Sequence, residues 1–211
     1  EFQFGMAWSE YSRFVGDVFG APLALEALLA FFVESTFLGL WIFGWKQLKP
    51  AIHLACLWVA VIGSALSAYF IIVANSWMQH PVGVEMINGR PVMTDAWAVL
   101  TNNTALVAVP HTLFGALAVA GGFLLGIAWY HLWRRRHDGV DTVGADGRVV
   151  PGEDARIPGR DRADHKVWIR SLRIGAVVAM ISFAGTSVTG DLQGKLMFQQ
   201  QPMKMAAAEA A

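Results

Sequence analysis

Four stretches of this chain are too long and too apolar to be read as helices of a water-soluble core. They run over residues 21–45, 52–75, 105–133 and 168–189. A helix needs about 20 mostly apolar residues to cross the hydrocarbon part of a bilayer. The predicted fold class is therefore all-α: a polytopic transmembrane helix bundle of about four spans, with a short interfacial helix at the N-terminal side. Composition agrees, with 55% hydrophobic and 15% charged residues, where a soluble domain carries about a quarter charged. The net charge is zero, so nothing points to nucleic-acid binding. Cys56 is the single cysteine, which excludes an intrachain disulfide.

Local signals set the boundaries. Pro22 suits the first turn of the first span, Pro50 precedes the second, and Asn75-Ser76 ends it. The third stretch is long enough to imply tilt or extension past the membrane surface. Residues 1–20 read as the end of a preceding span and an interfacial helix, because Trp8, Tyr11, Phe14 and Phe19 mix there with Glu10, Arg13 and Asp17. Lys46 and Lys49 lie between the first two spans. Arg134, Arg135, Arg136, Lys166, Arg170 and Arg173 flank the connection between the last two, whereas residues 76–104 hold only Arg90. The positive-inside rule then puts the Lys46 side and the 134–167 loop in the cytoplasm, and the 76–104 loop and residues 190–211 outside. The 134–167 loop reads as solvated, with Asp146-Gly147 suited to joining a small hairpin between Val143 and Val149-Val150. There is no initiator Met or leader at the start, and the end falls in a helix-prone run, so both ends read as cuts.

Two carboxylates in the first span carry the sharpest chemical signal. Each of Glu26 and Glu34 costs about 2.5–3.5 kcal/mol to hold near mid-membrane. On an α-helix their eight-residue spacing is two turns plus about 80°, some 12 Å along the axis. Such a pair suits a proton relay or partners to a buried cofactor; the plainer reading pairs them with Arg or Lys from other helices. His111, after Pro110, opens the apolar part of the third span. It suits either a heme ligand or a hydrogen bond between helices. Gly115, Ala118 and Gly122 follow it as a strip of small residues, open to close approach by a flat group or another helix. His53, His131 and His137 fall at span ends, while His80 and His165 fall in connections. Ser64, Ser67 and Asn75 place polar groups along the second span, and Lys204 and Glu209 sit after Pro202.

In this order the motifs resemble subunit I of the cytochrome bd-type quinol oxidases. The matching stretches include Glu1-Phe2-Gln3-Phe4-Gly5, Gly16-Asp17-Val18-Phe19-Gly20-Ala21-Pro22, Glu26 with Phe31-Phe32-Val33-Glu34-Ser35-Thr36, and Gly63-Ser64-Ala65-Leu66-Ser67. Further along come Asn75-Ser76-Trp77-Met78-Gln79, Val109-Pro110-His111-Thr112, Gly190-Asp191, and Lys204-Met205-Ala206-Ala207-Ala208-Glu209. The resemblance covers nearly the whole chain except the 134–167 loop. It implies a multi-pass subunit of the bacterial cytoplasmic (inner) membrane, paired with subunit II and a small accessory membrane subunit. It implies three cofactors: a low-spin heme b, a high-spin heme b, and heme d or b at the oxygen site. His111 would be an axial ligand of the low-spin heme b, and Glu26 would belong to the di-heme site. Glu34, Ser67 and Asn75 would line the proton route from the cytoplasm. Lys204 and Glu209 would begin the outer loop that binds quinol. Quinol would be oxidised outside and O2 reduced to water with inner protons, building a gradient without pumping. The remaining heme ligands would lie outside residues 1–211, so this stretch alone would not turn over. The alternative is a heme-free proton-coupled transporter using Glu26 and Glu34, although midspan Gly/Pro breaks and internal symmetry are not evident.

Overall fold

The computed structural model describes residues 6–137, 141–143, 148–151 and 160–209. It divides into two compact units, residues 1–110 with 189–211, and residues 111–188. Four helical stretches are long and apolar enough to cross a membrane: Ser9–Phe43, Pro50–Gln79, Ala96–Arg134 and Asp164–Gln200.

In the first unit, α1 (Ser9–Leu25) runs without a break into a π-helical segment (Glu26–Phe31) and then α2 (Phe32–Phe43). The sequence predicts a boundary near residue 20, between an interfacial helix and a span, but the helix is continuous there. Pro22 lies inside it. A proline removes an N–H and crowds the preceding turn; one turn further on, the Glu26 N–H is shared between the carbonyls of Pro22 and Leu23, where the π-helical segment begins. Gly44 ends α2, and its carbonyl accepts the N–H groups of Gln47 and Leu48 in a tight turn. Pro50 then opens α3 (Pro50–Gln79) at a position whose N–H has no helical partner. At 30 residues, α3 is about 45 Å long.

The connection after α3 is folded. Strands β1 (Val84–Ile87) and β2 (Arg90–Met93) pair antiparallel, Ile87 opposite Arg90. Asn88 (φ 51°) and Gly89 (φ 76°) both take left-handed backbone, the two-residue turn whose twist matches a hairpin. The hairpin is tied to α1 by the Met93 N–H, which donates to Asp17 Oδ2 at 2.8 Å. Helix α4 (Ala96–Leu100) follows, the N–H groups of Trp97 and Ala98 donating to Asp95 Oδ1. Helix α5 (Asn103–His137) begins with Asn102 Oδ1 accepting the Thr104 N–H. The buried core of this unit lies at the hairpin end of α1 and α3. Val15, Val18 and Phe19 pack there with Val73, Ala74, Trp77, Val99 and Ala105. The Phe19 and Trp77 rings meet edge to face at 5.7 Å, a geometry favoured by the ring quadrupoles. Towards the Lys46 end large apolar side chains such as Phe31, Phe32, Phe43 and Trp58 are exposed. That is ordinary for a surface that meets lipid or other membrane helices.

Helix α6 (Arg160–Gln200) and helix α7 (Pro202–Glu209) complete the chain. Both α5 and α6 run beyond the apolar stretches read from sequence, because polar Arg and Gln extend a helix into water at little cost. His165, expected in a loop, therefore lies on α6. In the second unit the two helices pass close to one another at glycines. A Cβ on Gly121 would stand 2.8 Å from the Ala179 nitrogen, and one on Gly175 would stand 3.1 Å from the Gly121 oxygen. His131 stacks on Trp168 with ring centroids 4.1 Å apart. Strands β3 (Asp141–Val143) and β4 (Val149–Pro151) pair antiparallel; the Asp146-Gly147 turn lies outside the described residues.

Candidate functional site

Glu26 and Glu34 both turn towards α3, and each meets a serine. Ser67 Oγ donates to Glu26 Oε1 at 2.8 Å. Ser64 Oγ donates to Glu34 Oε1 at 2.6 Å. The π-helical segment explains how both acids reach one partner helix. An unbroken α-helix turns eight residues through two turns plus about 80°. A π segment holds one extra residue, which sets the register back by about 100° and leaves the two carboxylates within about 20° of one line. Ser64 and Ser67, three apart on α3, offer their hydroxyls along a matching line. Gly63 lets the two backbones close at this point, since a Cβ there would stand 3.1 Å from both the Cβ and the nitrogen of Glu34.

The two acids differ in surroundings. Glu26 Oε2 is buried and has no hydrogen-bond partner among the described residues. It belongs to a mostly apolar cleft of about 200 Å³ lined by Phe19, Leu23, Glu26, Ile71, Ala74, Asn75 and Met78. A buried polar atom without a partner is costly, so this oxygen fits a visiting proton or a group that brings positive charge. The cleft is smaller than the 300–1,000 Å³ of an enclosing ligand pocket, so it suits one edge of a larger planar group. Asn75 lines the Glu26 cleft and accepts from Gln79 Nε2 at 2.7 Å. Eleven residues from Ser64, it stands about 16 Å further along α3, so it groups with Glu26 and not with Glu34.

His111 is half-buried on α5 and belongs to the second unit. It shares a helix face with Gly115, Ala118 and Gly122, by their spacing. A Cβ on Gly115 or Gly122 would meet nothing within 4 Å, so the close helix crossing uses Gly121 and not these two glycines. An imidazole on a helix face of small residues has the donor chemistry that would hold an iron macrocycle. Lys204 and Glu209 are exposed on α7; five residues apart, they point about 140° from one another. Sequence reasoning passed over Ser64 as Glu34's partner and Gln79 as a link beyond Asn75. The only signal for them was their helical spacing with Ser67 and Asn75 along α3.

The family model for cytochrome bd terminal oxidase subunit I matches residues 1–211. The chain is 42% identical over 209 residues to cytochrome bd ubiquinol oxidase subunit 1 of Bacillus subtilis, covering 99% of this chain and 39% of that protein. It is 38% identical over 211 residues to cytochrome bd-II ubiquinol oxidase subunit 1 of Escherichia coli, covering 99% of this chain and 36% of the relative. Among solved structures it is similar to bd oxidase from Geobacillus thermodenitrificans, with a TM-score of 0.73 and 29% identity, over 94% of this chain and 40% of that one. The chain thus spans about two fifths of the length of the relatives it matches.

Proposed function

The chain belongs to the cytochrome bd terminal oxidase subunit I family, and from that premise we propose that it forms the heme-bearing part of a respiratory quinol:O2 oxidoreductase. The observation that carries the reading is the pair of acids on one line, Glu34 on Ser64 and Glu26 on Ser67, with one Glu26 oxygen left open to an apolar cleft. Hemes, when bound, supply the electron transfer and the chemistry of oxygen reduction. His111 is the residue suited to hold the iron of a low-spin heme b, and Glu26 the residue suited to the di-heme site with a high-spin heme b and heme d or b.

The chain's own part is to move and hold protons. Glu34 takes up a proton on the Lys46 side. The i, i+3 spacing of Ser64 and Ser67 separates their Cβ atoms by about 5–6 Å, a gap that a bridging water closes. Glu26 receives the proton at Oε2, next to the cleft. Ser67 fixes the other oxygen, so that the free one faces the place where the proton is consumed. Lys204 and Glu209 on α7 suit the polar head of a quinol, whose own protons leave on the opposite side from Glu34. Charge is then separated without a pump. The reading includes subunit II and a small accessory subunit as partners, and the bacterial inner membrane as location, with the Lys46 end in the cytoplasm.

The test is spectroscopic and kinetic in the full-length, assembled complex. His111→Ala is expected to lose the low-spin heme bands while the high-spin bands persist in part. Glu34→Gln is expected to slow oxygen uptake at unchanged quinol KM. An unaltered heme spectrum in the first variant, or wild-type turnover in the second, would overturn the corresponding assignment.

A further inference from the structure

At the hairpin end of the first unit, a set of uncharged amides joins the junction of α6 and α7 to α3 and α5. Gln201 is the hinge between α6 and α7. Its N–H donates to Met197 O at 2.8 Å, closing α6, and its carbonyl accepts from Lys204 N at 3.1 Å and Met205 N at 3.2 Å, opening α7. Its side chain leaves both helices, and Nε2 donates to Gln79 O at 2.7 Å. That carbonyl belongs to the last residue of α3, one of the terminal carbonyls that a helix leaves without an internal partner. Gln79 Nε2 in turn donates to Asn75 at the Glu26 cleft. Beside it, Gln200 uses both ends of its amide. Oε1 accepts from Thr104 Oγ1 at 2.7 Å, and Nε2 donates to Asn103 Oδ1 at 2.9 Å. Thr104 is 1% exposed, and neighbouring Asn102, 3% exposed, donates from Nδ2 to His80 O.

We infer that Gln201 and Gln200 are positioning residues for the quinol site: their amides clamp the junction from which α7 starts to the end of α3 and the start of α5, so that Lys204 and Glu209 are presented from a fixed helix. The inference rests on the reading of Lys204 and Glu209 as quinol-binding. Three features support it. The hinge residue itself carries the tie to α3, so releasing that one hydrogen bond loosens the junction between two helices. The tie reaches α3, the helix that also holds Ser64, Ser67 and Asn75, so one rigid element carries both sites of chemistry. The ties from Gln201 to Gln79 and from Gln200 to Asn103 and Thr104 join uncharged groups, so the geometry of the turn does not vary with salt or protonation as a charged tie would.

The experiment uses the full-length chain in the assembled complex and a short-chain ubiquinol. Oxygen uptake gives KM and kcat, and an artificial reductant that feeds the hemes directly gives a rate that bypasses quinol. Gln201→Leu keeps the size and removes the donor. It is expected to raise the quinol KM about fivefold, the worth of one ordinary hydrogen bond, while the bypass rate stays at wild type. Gln201→Glu is expected to behave like Gln201→Leu at neutral pH and to recover towards wild type at acid pH, where a protonated carboxyl donates again. If Gln201→Leu fails to assemble, Gln200→Glu carries the same test, because it keeps the acceptor for Thr104 and loses only the donor to Asn103. An unchanged KM in the glutamine variants, with KM raised by Lys204→Ala, would overturn the clamp and leave the quinol reading standing. A bypass rate that falls in step with the quinol rate would overturn it too, by showing a general structural role. If Lys204→Ala and Glu209→Ala both leave KM unchanged, the quinol reading itself fails, and the clamp with it.

Discussion

Removing the Ser64 hydroxyl is the most direct probe of the one-faced pair of acids. Ser64→Ala deletes a 2.6 Å hydrogen bond to Glu34 and touches none of the residues that line the Glu26 cleft. A hydrogen bond to a charged group is worth about 1.5–3 kcal/mol. Glu34 is only half-buried, which argues for the lower end, and about 1.4 kcal/mol corresponds to a factor of ten in rate. Oxygen uptake by the full-length complex should therefore fall about tenfold, with quinol KM and heme spectrum unchanged and a larger solvent isotope effect in D2O. Ser64→Thr, which keeps a hydroxyl, should restore most of the rate. Ser67→Ala should slow turnover by at least as much, since its bond to Glu26 is the more buried of the two. Two steps in series are limited by the slower one, so the double variant should match the slower single variant. Ser187→Ala serves as a control, because that hydroxyl donates to Phe183 O in its own helix. Losses that multiply in the double variant, or a D2O effect that does not grow, would refute the single proton line.

Other outcomes follow from the packing. Deleting Leu29 from the π-helical segment should restore α-helical hydrogen bonding and turn Glu26 about 100° away from Ser67, so oxygen uptake should collapse even where the low-spin heme bands remain; retained activity would argue against the register account. Gly121→Val places atoms against the Ala179 backbone 2.8 Å away and should cost about 1–3 kcal/mol, read as a lower thermal unfolding temperature in detergent. Asp17→Ala removes the acceptor of the Met93 N–H, so that amide should exchange hydrogen markedly faster while turnover changes little.

The four spans, the acids within the first and the histidine at the start of the third were legible from residues 1–211 alone. Transfer to lipid is a sum over neighbouring residues, so composition along the chain contains it. The folded hairpin after α3 was missed, though Asn88-Gly89 between short apolar runs is its local signature. The direction in which Glu26 and Glu34 face was not legible. It turns on one extra residue in a helical turn, and a π segment has no compositional mark that distinguishes Glu26–Phe31 from the α-helix on either side. The partners Ser64 for Glu34 and Gln201 for Gln79 belong to helices that meet only after packing. A hydrogen bond between segments depends on where two backbones cross, which no single segment encodes. Sequence therefore determined which stretches are long and apolar enough to cross a membrane, and the tertiary structure decided which of their residues touch, because contact between helices is set by register and crossing and not by hydropathy.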